Sequence, residues 1–580
     1  MAEEDQDRRG AAASGQSFHN LPGSKRVEYI RRVENGLLEF LVPGAPQPGE
    51  ECRPKAESLS CIDAFPRLRI LVSHAKVSEY LWIDGRKLSS FMSMLVHKLS
   101  VKVSITQAWA GLRSLSSLAY ARIRSLESFL APGQSICTGY KKPPIKKLFT
   151  PKGPVYVAIA REVLAEEIRP YSLDQEQWVP IGPSALPDDA IHDISTALVQ
   201  AERPLIITGY SGRDRRTPEL LVALTDLIPG IRVHDTGGSD MCFPFSHIAS
   251  EGFRLSFDEC TRDTDMIFLL DCDVPWIPSR NPPPKNTKIY HVDCDPLNQQ
   301  IPVSFFPAHG RWKADSFTAL RQLVNYIKGD ASLKKTLQDP KYTARGNSRG
   351  EVHKARLANI ASQPRLGDQE RLDAHNIGSL LKRSLPDSTT FVIEAVTAAQ
   401  TLSDQLQPSR PGSWINCGGT GIGWSNGAAL GVKMALANLG EGCQQSLVCH
   451  IVGDGSFMCA APSSALWVAS KYEILILTIV LNNGGWKAPR NSAELVYPTG
   501  LSTSASDDEI NISFRPTPNY AALAEAAAGS DVGWGNTSAN AEVWIKGMRA
   551  RTVGDFKEAL QHANSRVVKE GKGMLIEALM

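Results

Sequence analysis

The stretch IVGDGSFMCAAPSSALWVASKYEILILTIVLNNGGW, Ile451 to Trp486, decides how the chain is read. It opens with an apolar run that ends in Gly453-Asp454-Gly455, and 26 residues later it reaches Asn482-Asn483. Between them PSSALWVASKY has helical character and EILILTIVL is continuously apolar, so the pattern is strand, helix, strand. In a parallel α/β sheet the carboxyl end of a strand is where ligands bind. A right-handed crossover sets the two loops side by side. Gly453 and Gly455 let the backbone come close to a ligand. Asp454 offers a hard oxygen, and Ser456 with the amides around it lies towards a helix N-terminus, an anion seat. Asp454, the Asn483 amide oxygen and a backbone carbonyl can share one cation. An all-oxygen set that leaves room for water and phosphate suits Mg²⁺. Taken alone, Gly-Asp-Gly is an ordinary turn. Its spacing to the asparagine pair makes it specific.

The chain around this stretch has 580 residues, too many for one core. Its net charge of +2 and charged content of 21% give no reason to expect nucleic acid or membrane partners. The eleven cysteines form no C-x-x-C pair, which removes the usual zinc and redox motifs. Several, such as Cys272 and Cys449, sit in apolar strand-like runs and read as reduced core residues. The N-terminus lacks the apolar core of a secretory signal. No apolar run reaches a membrane span of about 18–20 residues. A reducing, cytoplasmic setting is the expectation.

The chain divides into blocks. Residues 1–25 read as a disordered lead. From Arg26, RVEYIRRVENGLLEF has a helical pattern, and LRILVSH (Leu68–His74) reads as a strand. The first block extends over 26–175 and includes GPVYVAIAREVL, a β-run. A second α/β block, 185–329, holds RPLIITG, DMIFLLDCD and TKIYHVDCDP, apolar strands that end in acids. Such runs fit strands buried on both faces of a parallel sheet, and the acids read first as turn or cap residues. Residues 330–371 are polar and charged and read as a linker. The third block, 372–580, contains TTFVIEAVT, GGTGIGWSNGAALG, the opening stretch and a terminal helix–strand pair.

With these motifs the sequence resembles the thiamine diphosphate (ThDP)-dependent enzymes, within them the acetolactate synthase, benzaldehyde lyase and 2-keto acid decarboxylase group. The resemblance implies an α/β chain of three consecutive parallel-sheet domains: pyrimidine-binding, central and diphosphate-binding. It implies ThDP and Mg²⁺ as cofactors. Asp454, Asn483 and the Gly485 carbonyl would be the metal ligands. Gly455, Ser456 and Thr397 would contact the diphosphate. Gly418 and Thr420 fall where family members bond the aminopyrimidine, and Ile422 would share with Thr420 the work of bending the cofactor. Trp486 and Lys487 follow the metal loop and would border the substrate pocket. A 2-keto acid or aldehyde would be the substrate, and a homodimer or homotetramer the assembly. The sequence carries no fingerprint for FAD, which some members hold in the central domain.

One position departs from the family pattern. Relatives place a glutamate after a strand, in a His-Glu-x-Val motif, to protonate the pyrimidine ring. Here Ser73-His74-Ala75-Lys76-Val77 puts Ala75 there. Glu79 lies one turn away if a helix begins at that point. Residues 93–150 have no clear counterpart of the second half of the pyrimidine domain, so the first domain reads as degenerate. No catalytic residue can be assigned from the sequence. Two functions remain: an acetolactate synthase-like enzyme that makes or breaks C–C bonds next to a carbonyl, or an impaired ThDP-binding homologue that acts as a partner or regulatory subunit.

Overall fold

The computed structural model describes residues 29–33, 37–41, 68–74, 77–83, 165–167, 182–237, 239–254, 258–296, 306–419, 421–438, 446–529 and 543–580. The chain forms two compact units, residues 1–138 with 157–178, and residues 139–156 with 179–580. GPVYVAIAREVL, Ala75 and residues 93–150 lie outside the described residues.

In the first unit the described strands are β1 (Tyr29–Val33), β2 (Leu37–Leu41), β3 (Leu68–His74) and β4 (Val77–Ile83), in the order β1-β2-β4-β3. β3 has the bounds expected for LRILVSH. The helix expected from Arg26 is instead the antiparallel pair β1–β2, with Val33 opposite Leu37. Asn35-Gly36 between two apolar runs is a hairpin signal, and it overrides the helical spacing. Only β2 and β4 run parallel, so this sheet is mixed where a parallel one was expected. Glu79 lies within β4, opposite Val72 of β3, and not on a helix.

The second unit holds two six-stranded sheets, parallel throughout. The first contains β5 (Pro204–Thr208), β6 (Arg232–Asp235), β7 (Ser250–Phe253), β8 (Met266–Leu270), β9 (Lys288–Asp293) and β10 (Gly310–Lys313), ordered β10-β9-β8-β5-β6-β7. β5 and β8 are buried at every residue, as strands covered on both faces must be. The acids after the strands form turns: Asp271 accepts from the Cys294 amide and Asp293 from the Asp295 amide.

The segment 330–371, read as a linker, is largely helical. Asp330 caps the helix Ala331–Leu337, and Asp339 with Pro340 at the first position starts the 23-residue helix Pro340–Ser362. Polarity misled here because only Tyr342, Arg349, His353 and Ile360 of the long helix are buried. Its contacts are made by long polar side chains. Arg345 donates to the carbonyls of Pro229 and Ala201, and the Tyr342 hydroxyl donates to that of Val199.

The last sheet contains β11 (Thr390–Glu394), β12 (Trp414–Asn416), β13 (Val448–Gly453), β14 (Leu477–Asn482), β15 (Ile545–Ala550) and β16 (Gly573–Leu579), ordered β12-β11-β13-β14-β16-β15. Helices 374–384, 399–406 and 553–563 cover one face, and 424–437, 462–471 and 520–528 the other. Strand order reverses between β11 and β13, which creates a crevice at their carboxyl ends. Glu577 of β16 is fully buried among three neighbours. Its carboxylate accepts from the Asn482 side chain at 2.7 Å, pairs with Arg549 at 2.9 Å and faces the Ala521 amide. Removing one partner from such a group leaves the others uncompensated. We expect Glu577→Ala to cost about 3 kcal/mol, read as a lower denaturant midpoint at unchanged slope.

Candidate functional site

The strand–helix–strand unit forms as read from the sequence. β13 and β14 pair in parallel, with Gly453 opposite Leu481, so Asp454 and Asn482 each follow directly at the sheet's carboxyl edge. Asp454 is buried. Its Oδ1 accepts from the Gly455 amide at 2.9 Å and its Oδ2 from the Gly484 amide at 2.8 Å. The acid is therefore bonded to the loop that carries Asn483 and Gly485. Burial pushes the Asp454 carboxyl up to about 6, and the amides of Gly455, Gly484, Gly485 and Asn483 offset only part of that. The carboxylate is under-compensated where it stands. Asp454, Asn483 and the Gly485 carbonyl together offer only oxygen donors, the chemistry that Mg²⁺ requires.

The loop after β14 is held by two sets of bonds. Asn482 is fixed through Glu577, and the Met580 amide donates to the Asn482 carbonyl. Gly484 to Trp486 run antiparallel to 512–514: the Trp486 amide donates to the Ile512 carbonyl and the Phe514 amide to that of Gly484. Gly485 has to be glycine, since a Cβ there would lie 2.1 Å from the Ile512 oxygen. The Trp486 ring packs edge-on against Phe514 and covers Gly455, where a Cβ would come within 2.5 Å of the indole.

Ser456 lies in a short helix, Asp454–Cys459, and is nearly buried. The helix read in PSSALWVASKY begins later, at Pro462. The N-terminus next to Ser456 thus belongs to the short helix that starts at Asp454. Thr397 is exposed in the turn after β11, on the other side of the crevice. Gly418 takes a left-handed φ of 56° after β12, and Ile422 is half exposed in the same loop. Thr420 lies outside the described residues.

Glu394 was not among the residues singled out from the sequence. At the end of β11 its carboxylate accepts from the amides of Gly423 (2.6 Å) and Ser425 (2.7 Å). It thereby anchors the loop that contains Gly418 and caps the helix Trp424–Ala437 in place of a local capping residue. Beneath it the Ser425 hydroxyl meets His450 Nε2 at 2.8 Å, and the Thr478 hydroxyl meets Nδ1 at 3.4 Å. An acid ending an apolar strand ahead of a glycine-rich loop was the available signal.

The family described as "Thiamine pyrophosphate enzyme, C-terminal TPP binding domain" matches residues 395–577. The match is confined to the last block: residues 395–577 are similar to the C-terminal thiamine pyrophosphate-binding domain of that family. Among solved structures it is similar to a benzoylformate decarboxylase from Polynucleobacter necessarius, with a TM-score of 0.53 and 16% identity over 72% of this chain and 68% of that one. A thiamine diphosphate-dependent 4-hydroxybenzoylformate decarboxylase from Rhodococcus jostii RHA1 matches at 0.49 and 20%, over 72% and 67%. At these identities the likeness is one of fold.

Burial holds His450 neutral and pushes its pKa down to about 3. The unfolded chain takes up that proton near pH 6.5, while the folded chain resists it until about pH 3. Stability tied to His450 is therefore complete above pH 6.5 and is lost as pH falls towards 3. We expect His450→Gln to reduce the acid sensitivity of folding by up to about 1.4 kcal/mol per pH unit in that window, measured by urea unfolding at a series of pH values.

Proposed function

We propose that this chain is a ThDP- and Mg²⁺-dependent enzyme of the acetolactate synthase and 2-keto acid decarboxylase type, which makes or breaks a C–C bond next to the carbonyl of a 2-keto acid or aldehyde. The observation that carries this reading is the bond from the Gly484 amide to Asp454. It joins the acid of the glycine turn to the loop of Asn483 and Gly485 at the mouth of the crevice. In this reading the Asp454 carboxylate, the Asn483 amide oxygen and the Gly485 carbonyl hold Mg²⁺, whose role is to anchor a diphosphate. Gly453, Gly455, Ser456 and Thr397 line the diphosphate seat. Gly418 and Thr420 lie along the pyrimidine, and Glu394 fixes their loop. Bound there, the cofactor supplies an electron sink for the carbanion next to the carbonyl. Trp486, packed on Phe514 and over Gly455, keeps water from the diphosphate side. The substrate class fits a decarboxylase of similar fold, whose name specifies benzoylformate. The assembly is a homodimer or larger.

A second reading, a ThDP-binding partner subunit that does not turn over, is favoured by one observation. Ala75 stands where the resemblance calls for glutamate. Glu79 is an unsuitable substitute by the expected route, because it lies on β4 and not one helical turn further on.

Titration with ThDP and Mg²⁺, followed by thermal unfolding, tests both. Ligand at about 100 times its Kd should stabilise the wild-type chain by about 2.7 kcal/mol and leave Asp454→Ala unshifted. An unshifted wild type rules out the cofactor seat. Given binding, turnover of a panel of 2-keto acids and aldehydes separates the two readings. A wild type that binds without turnover, and gains about 10²-fold or more over its own background as Ala75→Glu, is the partner subunit.

A further inference from the structure

A second group of metal-ligating side chains lies away from the ThDP seat, in the sheet of β5–β10. His234 of β6, Asp258 and Cys260 bring an imidazole nitrogen, a carboxylate oxygen and a thiol sulfur all within 4.8 Å of one another. We propose that these three residues form a Zn²⁺ site.

The donor types and their spacing support this. Thiolate and imidazole together select Zn²⁺ over the hard cations. At Zn–S of about 2.3 Å and Zn–N of about 2.0–2.1 Å, tetrahedral ligands stand roughly 3.5 Å apart. Cys260 Sγ lies 3.2 Å from His234 Nδ1. His234 is 1% exposed, so its ring meets the other two donors inside the fold. Zn²⁺ binding would replace the Cys260 thiol proton with a Zn–S bond and release that proton to solvent.

The segment that carries two of the ligands is fixed in advance. Asp258 accepts from the Cys260 amide at 3.0 Å and so caps the turn Glu259–Thr261. Asn281, 1% exposed, donates to the Asp258 carbonyl at 2.6 Å, and the Thr261 hydroxyl donates to the Asn281 carbonyl at 2.6 Å. These bonds hold the ligands against β6 as supporting hydrogen bonds do around metal sites. Asp258 also lines a cavity of about 810 Å³, together with Arg262, Arg280 and Leu495. Three protein ligands leave a fourth position for a water, as in zinc sites with three protein ligands. Asp271, Asp293 and Cys294 also lie within 4.8 Å of one another. That group lacks an imidazole, and Asp271 is already bonded to Ser316 and the Cys294 amide.

The test uses the full chain, stripped of metal and given one equivalent of Co²⁺ without ThDP. A thiolate-to-Co²⁺ charge-transfer band should appear in the wild type and be bleached by one equivalent of Zn²⁺. It should be lost in Cys260→Ser and His234→Gln, and retained in Asp454→Ala and Cys294→Ser. No band in the wild type overturns the site, as does a band that survives in Cys260→Ser. Should Cys260→Ser not fold, alkylation of the wild-type chain followed by peptide mass spectrometry decides. Zn²⁺ should protect Cys260, and equal labelling with and without Zn²⁺ overturns the proposal.

Discussion

Asp454 is a buried carboxylate held only by backbone amides, and the geometry of the last sheet is arranged around it. It follows a strand buried at every residue but the last, Gly453, beside the point where strand order reverses. A group of this kind is unfavourable unless something positive completes its surroundings. The amides of Gly455 and Gly484 do so in part. Their approach requires glycine at 455, beneath Trp486, and at 485, against the 512–514 segment. The burial of one carboxylate thus passes into the sequence as glycines, an indole and a short antiparallel contact.

The crevice has two walls of different construction. On one side, parallel pairing of β13 and β14 sets Asp454 beside Asn482, and Glu577, Met580 and the 512–514 segment brace the loop that follows. On the other, β12 is bridged on its outer edge to residues 239–241, and the loop after it is tied back to β11 by Glu394. One buried side chain there does the work that a cap, a turn and a hydrogen-bonded neighbour share elsewhere.

Much of this was legible in the sequence because parallel strands buried on both faces read as unbroken apolar runs. RPLIITG, DMIFLLDCD and EILILTIVL all became strands of this kind, and Gly-Asp-Gly with Asn-Asn marked the carboxyl edge of β13 and β14. The failures have physical causes. RVEYIRRVENGLLEF satisfies a helical spacing and a hairpin at once, and the Asn-Gly pair tips the balance. Residues 330–371 looked like a linker because their helix packs through arginine and tyrosine side chains, which apolar periodicity does not register. Glu394 escaped notice because its partners lie about thirty residues ahead, and only the β11–β12 crossover brings them to it.

The place of β16 affects how the seat comes into being. It is the last strand in chain order, yet it lies between β14 and β15, and its Glu577 and the following Met580 hold Asn482 by side chain and backbone. Asn482 therefore gains its side-chain and backbone braces only when β16 has been threaded into an interior slot of the sheet. During synthesis Asp454, Asn483 and Gly485 leave the ribosome before the strand that braces the loop between them, so the motif precedes its own support by about ninety residues of chain.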